Sequence, residues 1–167
     1  MSLEKFAAET VVPIERSQAE VRAILNAHGC TKYAAIDDGP RSLIRAVLTR
    51  EGGSIALQFV VTAPDPKDAI IQKIRVGSRG SRYRPSVQIP GAVLQETRRR
   101  WRCLVILLKS KFASVDSGIA TFQEEFLANI MLPGGGTVGD WASREIGPAI
   151  AEGRMPTSLL LGAGDAR

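Results

Sequence analysis

Residues 42–62 read SLIRAVLTREGGSIALQFVVT, and the fold turns on this stretch. Ser42–Arg50 is rich in β-branched and aliphatic residues, Gly52-Gly53 is a hairpin signal, and Ser54–Thr62 alternates. Ile55, Leu57, Phe59 and Val61 share one face, while Ala56, Gln58, Val60 and Thr62 share the other. A wholly apolar face beside a mixed one describes an antiparallel sheet with helices packed on one side. Upstream, Lys32–Ile36 reads as another strand that runs into the turn cluster Asp37-Asp38-Gly39-Pro40. A three-stranded antiparallel meander is expected.

Helices flank the meander. Ser17 and Glu20 have capping-box spacing, Val21, Ile24, Leu25 and His28 share a helical face, and Gly29 suits a left-handed stop. This predicts a helix over Ser17–His28. After Pro64-Asp65-Pro66 a short helix is expected to reach Ile74, with Asp65 as its cap. Residues 77–91 read as a basic loop. From Ala92 to Asp116, Leu94, Thr97, Trp101, Leu104, Val105, Leu108, Phe112 and Val115 recur at three- and four-residue steps, which is one long amphipathic helix. Thr121 and Glu124 repeat the capping-box spacing and open a helix to about Met131. A last helix starts near Thr137, with Asp140 in its first turn, and Pro148 is expected to bend or end it. The fold class is therefore α+β: an N-terminal helix, a three-stranded antiparallel meander, and a C-terminal helical layer with one long basic helix. One domain over residues 1–167 is expected, with residues 1–16 and 157–167 loose.

Charge is the strongest functional signal. Residues 75–111 hold ten Lys+Arg against Glu96 alone, whereas residues 1–74 are balanced and residues 112–167 are net acidic. A local basic field attracts polyanions. In the loop, Arg75, Arg79, Arg82 and Arg84 alternate with small residues and Tyr83, which suits a phosphate backbone with an unstacked base beside it. In the helix, Arg98, Arg102 and Lys109 line one flank of the apolar stripe, Arg100 and Lys111 line the other, and Arg99 points away from the core. Arg75, Arg79, Arg82, Tyr83, Arg84, Arg98, Arg99, Arg102 and Lys109 are thus the candidate nucleic-acid contacts. The competing reading pairs these cations with Glu124, Glu125, Asp140, Glu145 and Glu152 of the acidic third, within the fold or across a dimer.

Catalytic signals are sparse. His28 is the one histidine and falls on an apolar helix face, where packing or dipole capping is the plain role. Asp37 and Asp38 have the chemistry to hold magnesium for a nuclease, yet no acid-x-lysine follows on the third strand, so a turn is the simpler reading. Gly134-Gly135-Gly136-Thr137 lacks the Lys-Ser/Thr ending of a P-loop and reads as a turn. Trp101 and Trp141 read as core, and Cys30 and Cys103 as buried thiols of a reducing compartment. No cofactor, metal site or catalytic residue is expected.

Arg98-Arg99-Arg100-Trp101-Arg102, the stretch Thr121 to Ala128, Leu132-Pro133, Thr137-Val138-Gly139-Asp140-Trp141 and Gly153-Arg154-Met155-Pro156 form a series. It resembles a family of small uncharacterised proteins of tailed phages and prophages, over about residues 90–156. That resemblance implies a context, a phage gene acting in the bacterial cytoplasm, and assigns no activity. Relatives carry polar or charged residues where this chain has three glycines, which weighs against ligand binding by that turn. A strand meander backed by a long basic helix also occurs in some phage DNA-annealing proteins, an analogy of fold pattern only.

The expected function is non-catalytic nucleic-acid binding, DNA ahead of RNA, in phage replication, recombination or control. The alternative is an anti-defence protein that uses the same surface on a host protein complex or an anionic nucleotide. With no long apolar run or signal sequence, a membrane partner is not expected. A homo-oligomer is compatible with the basic margins and acidic third. Replacing Arg98, Arg99 and Arg100 together by Ala is expected to weaken binding without unfolding the protein.

Overall fold

The computed structural model of the chain describes residue 7 and residues 10–50, 53–68 and 88–153. Three strands, β1 (Cys30–Asp38), β2 (Arg41–Arg50) and β3 (Gly53–Thr62), form an antiparallel meander in the order β1-β2-β3. Asp38 pairs with Arg41, so Gly39-Pro40 is a two-residue connection. Gly39 has φ +59° and proline holds the next φ negative, the pattern of a type II′ hairpin turn, whose twist matches that of the strands. Arg50 pairs with Gly53, which puts the second connection at 51–52, one residue earlier than the Gly52-Gly53 signal suggests and outside the described residues.

The alternation of β3 decides which face is buried. Leu57, Phe59 and Val61 are buried, as are Ile44, Ala46 and Leu48 of β2, while Val60 and Thr62 are exposed. Ile44 lies opposite Phe59 and Ala46 opposite Leu57, so the two strands present one continuous apolar surface. Against it pack α1 (Ile14–Ala27) and α2 (Gln88–Asp116), whose Val21, Leu25, Trp101, Leu104, Val105, Leu108 and Phe112 join the same core cluster. Leu94 departs from the expected stripe and is 43% exposed. Phe126 fills the centre, with Phe122 stacked at 4.7 Å, Phe112 at 4.9 Å and Phe59 edge-on at 6.4 Å between centroids.

Several element boundaries differ from the sequence expectation, each for a local reason. Helix α1 begins a turn earlier, at Pro13, and the Ser17 N–H already donates to the Pro13 carbonyl at 3.2 Å. Ser17 is therefore no cap. Its side chain is fully buried and its hydroxyl is without a partner, while Glu20 is released for another role. Gly29 does stop α1, with φ +88° and the Thr49 carbonyl 3.3 Å from where a Cβ would stand. The helix opened by the Thr121/Glu124 capping box, α3 (Phe122–Phe126), tightens into a 3₁₀ turn at Leu127–Asn129 instead of reaching Met131. Ile130 and Met131 have left the helix to pair with β3 at Leu57 and Ala56. Helix α4 (Val138–Glu152) carries a full Thr137/Asp140 capping box and runs past Pro148 to a left-handed Gly153. Helix α2 begins at Gln88, four residues before the expected Ala92, so the last four residues of the expected loop over 77–91 are helical. The rest of that loop, most of the helix expected after Pro66 and the C-terminal tail lie outside the described residues.

Helices α1 and α2 run side by side in the same direction. Gln95 Nε2 donates to the Thr10 carbonyl at 2.9 Å, Glu20 meets Arg102 and Lys109, and His28 meets Asp116. This places a carboxylate of the first helix against the basic flank of the second.

Candidate nucleic-acid interface

The structure gives acidic partners to four of the five cations assigned to the two flanks of α2. Arg102 and Lys109 face α1, Arg100 faces the end of β3, and Lys111 faces α3. What those cations face is acid from within the fold.

The deepest of these contacts is Glu96. Its side chain is 1% exposed, yet it carries a charge because Arg99 grips it bidentately, Nε to Oε2 and Nη2 to Oε1, both at 2.7 Å. Arg100 adds Nε to Oε1 at 3.2 Å, donates from Nη1 to the Thr62 carbonyl at 2.6 Å, and lies 3.6 Å from Asp68. Burial pushes the Glu96 carboxyl up, but the hydrogen bonds from Arg99 and Arg100 outweigh it and hold the group below its ordinary value. The same pairing pushes Arg99 up. Arg99, expected to point away from the core, folds back over the buried Glu96 and is 20% exposed.

On the opposite flank one carboxylate again serves two cations. Glu20 accepts from Lys109 Nζ at 2.5 Å and from Arg102 Nη1. Those hydrogen bonds, Lys109 first, lower its pKa despite some burial. Lys111 donates to the carbonyl and the carboxylate of Glu125 and lies over the Phe126 ring at 5.4 Å. Arg98 is half-buried, and its Nε has no hydrogen-bond partner. Of the acidic third, Glu125 pairs with Lys111 of α2, whereas Glu124 and Asp140 serve helix caps.

Of the predicted contacts, then, the structure brings Arg99, Arg102 and Lys109 into ion pairs and leaves Arg98 half-buried, while Arg75, Arg79, Arg82, Tyr83 and Arg84 lie outside the described residues. This changes the expected outcome of the triple Arg98/Arg99/Arg100→Ala replacement. Removing Arg99 and Arg100 strands a buried carboxylate, so the protein is expected to lose stability as well as charge. Sequence reasoning offered Glu125 as a possible partner and missed Glu96, Glu20 and Asp68. For Glu96 the signal was present, an acid three and four residues before two arginines on one helix. For Glu20 and Asp68 no local signal existed.

A cleft of about 570 Å³ opens between the end of β3 and α2, lined by Val60, Thr62, Arg99, Arg100, Cys103 and Leu107 among others. Both guanidinium groups in it are already engaged, so its free wall is mainly apolar. Cys103 and Cys30 are free thiols, and both are half-buried rather than fully buried.

The remaining residues take structural roles. His28 ends α1, places Nδ1 2.8 Å from the Ile24 carbonyl, stacks on Phe112 at 3.9 Å and sets Nε2 3.3 Å from Asp116. Asp37 accepts from the Ser42 hydroxyl at 2.6 Å beside the hairpin turn. In the glycine turn, the Gly135 N–H donates to the Leu132 carbonyl and the Gly136 carbonyl accepts from Leu132, closing a small hairpin before α4. Trp101 is core, whereas Trp141 is half-buried. Among the described residues no three His, Cys, Asp or Glu side chains are grouped to hold a metal ion, and no helix is long and apolar enough to cross a membrane. No family model, characterised protein or solved structure matches the chain.

Proposed function

We propose that this chain is a non-catalytic nucleic-acid-binding protein, DNA ahead of RNA, whose contacts are made first by the arginines at 75–84 and only secondarily by α2. One observation carries the reading. Of the 22 Lys+Arg in the chain, five (Lys73, Arg75, Arg79, Arg82, Arg84) lie within residues 69–95, where there is no Asp or Glu; the other 17 face 17 Asp+Glu. The whole net charge of +5 therefore belongs to that one segment. Since five of the six α2 cations already have acidic partners, surplus charge for phosphate is left mainly to residues 69–87. Guanidinium groups on a Gly- and Ser-rich backbone, with Tyr83 among them, match the combination of phosphate contact and base stacking used on single strands. The resemblance of residues 90–156 to tailed-phage proteins supports a place in phage DNA replication, recombination or control, in the cytoplasm of the bacterial host.

Fluorescence anisotropy with labelled single-stranded DNA, duplex DNA and RNA tests this. Binding is expected to be strong at low salt, and an Arg79/Arg82/Arg84→Ala variant is expected to flatten its salt dependence by about two to three units, near one per phosphate released. Binding that ignores salt, or ignores that variant, overturns the proposal. No binding to any probe at low salt assigns the segment to an acidic protein surface or a nucleotide. That is the anti-defence reading, and capture of a host protein from nuclease-treated lysate then tests it.

A further inference from the structure

The described residues close one edge of the sheet and leave the other open. Along β3 the Met131 N–H donates to the Ala56 carbonyl at 2.8 Å, Asn129 Nδ2 donates to the Gln58 carbonyl at 3.2 Å, and Arg100 takes the Thr62 carbonyl. Along β1, among the described residues, the ladder runs to β2 alone, and seven of its nine residues are exposed. An open edge of this length is a template for another strand. The usual blocks are missing: Lys32–Asp38 contains no proline, its only register shift lies upstream between Cys30 and Lys32, and the centre Tyr33-Ala34-Ala35-Ile36 is uncharged.

Charge complementarity selects the occupant. Two copies of β1 related by a two-fold axis normal to the sheet pair antiparallel, with like faces together. Side chains alternate along a strand, so Lys32, Ala34, Ile36 and Asp38 share a face. With the axis at Ala35, Lys32 of each copy stands opposite Asp38 of the other, and Ala34 stands opposite Ile36. Moving the axis one residue back sets Lys32 against Ile36, and one residue forward sets Asp38 against Ala34. A single register therefore satisfies both charges and also covers Ile36, which is 43% exposed. We propose that the β1 edge is a self-association surface, joining two copies of this chain into one six-stranded antiparallel sheet centred on Ala35.

The test is sedimentation velocity of the full chain, freed of nucleic acid, across a wide concentration range. One strand pair lies at the small end of specific interfaces, so the dimer is expected to appear as concentration rises. Lys32→Asp and Asp38→Lys each set like charges opposite one another at both ends of the junction, and each is expected to weaken the dimer roughly tenfold. Mixed one to one, the two variants place opposite charges together and recover the wild-type affinity. Hydrogen exchange of the wild-type protein needs no variant: the β1 amides are expected to gain protection with concentration. A chain that is monomeric throughout, a dimer indifferent to both substitutions, or β1 protection that stays flat as the dimer forms overturns the proposal. So does a foreign peptide that adds to β1 of a chain that never pairs with itself. No nucleic acid enters these measurements, so they succeed or fail apart from the proposed function.

Discussion

Glu96 and Glu20 each hold two cations of α2, one on either flank, but at different depths. Glu96 is 1% exposed and locked bidentately by Arg99, with Arg100 as a second donor; Glu20 is 28% exposed and shared by Arg102 and the half-solvated Lys109. The composition is nearly the same, one carboxylate and two cations. Depth decides the energetics. A buried carboxylate depends on its donors because water is not there to replace them, whereas an exposed one exchanges a salt bridge for hydration at small cost. The Arg-rich run that looks from sequence like a ligand surface is therefore half a structural device.

The largest effect is expected where the dependence is strongest. An Arg99/Arg100→Ala variant should lose about 3–5 kcal/mol of stability, the range for an uncompensated buried charge, read by urea unfolding followed by circular dichroism. Adding Glu96→Leu to that variant should recover much of the loss, because an apolar side chain removes the stranded charge. If the double variant is as stable as the wild type, Glu96 is solvated in solution and the contrast between the flanks fails.

Acid is the gentler way to remove the same charges. Both carboxylates titrate below their ordinary value in the folded chain, Glu20 through its hydrogen bonds to Lys109 and Arg102, Glu96 because its arginines outweigh its burial. Below the ordinary carboxyl range, near pH 4.3, the unfolded chain binds protons that the folded chain resists. The stabilisation is thus complete above that range and is lost as pH falls through the folded pKa values. Unfolding midpoints measured down through pH 3 should fall less steeply in Glu96→Gln than in wild type. Glu20→Gln should flatten the curve less. Equal slopes in all three proteins would remove the two carboxylates from the account.

What was legible in the sequence follows from range. The alternation of Ile55, Leu57, Phe59 and Val61 and the 3.6-residue recurrence from Trp101 to Phe112 identified the buried faces, because periodicity is written in neighbouring residues. It also assigned Arg98, Arg102 and Lys109 to one flank and Arg100 and Lys111 to the other. The partners were a different matter: Glu20 lies 82 residues before Arg102, and only the parallel packing of α1 on α2 brings them together. The same limit explains the caps. Thr121/Glu124 and Thr137/Asp140 form the boxes that their spacing announces, whereas Ser17/Glu20 has the spacing and no box. There Pro13 starts the helix one turn earlier, and the burial of Ser17 with the pairing of Glu20 takes both side chains away from capping.

The smallest effect separates structure from function most cleanly. Lys109 is the most exposed of the paired α2 cations, at 54%, so Lys109→Ala should change stability by less than about 0.5 kcal/mol. Its expected effect on DNA binding is also small, since its ammonium group is already committed to Glu20. A free phosphate contact behaves otherwise: Arg82→Ala should lower the salt slope of binding by about one unit. Anisotropy titrations of the two variants side by side give the comparison its sharpest form. If Lys109→Ala lowers the slope as much as Arg82→Ala, phosphate displaces Glu20, the α1 flank opens on binding, and α2 is a contact surface after all. If only Arg82→Ala does, the charge of α2 is spent within the fold and the arginines at 75–84 alone meet the ligand.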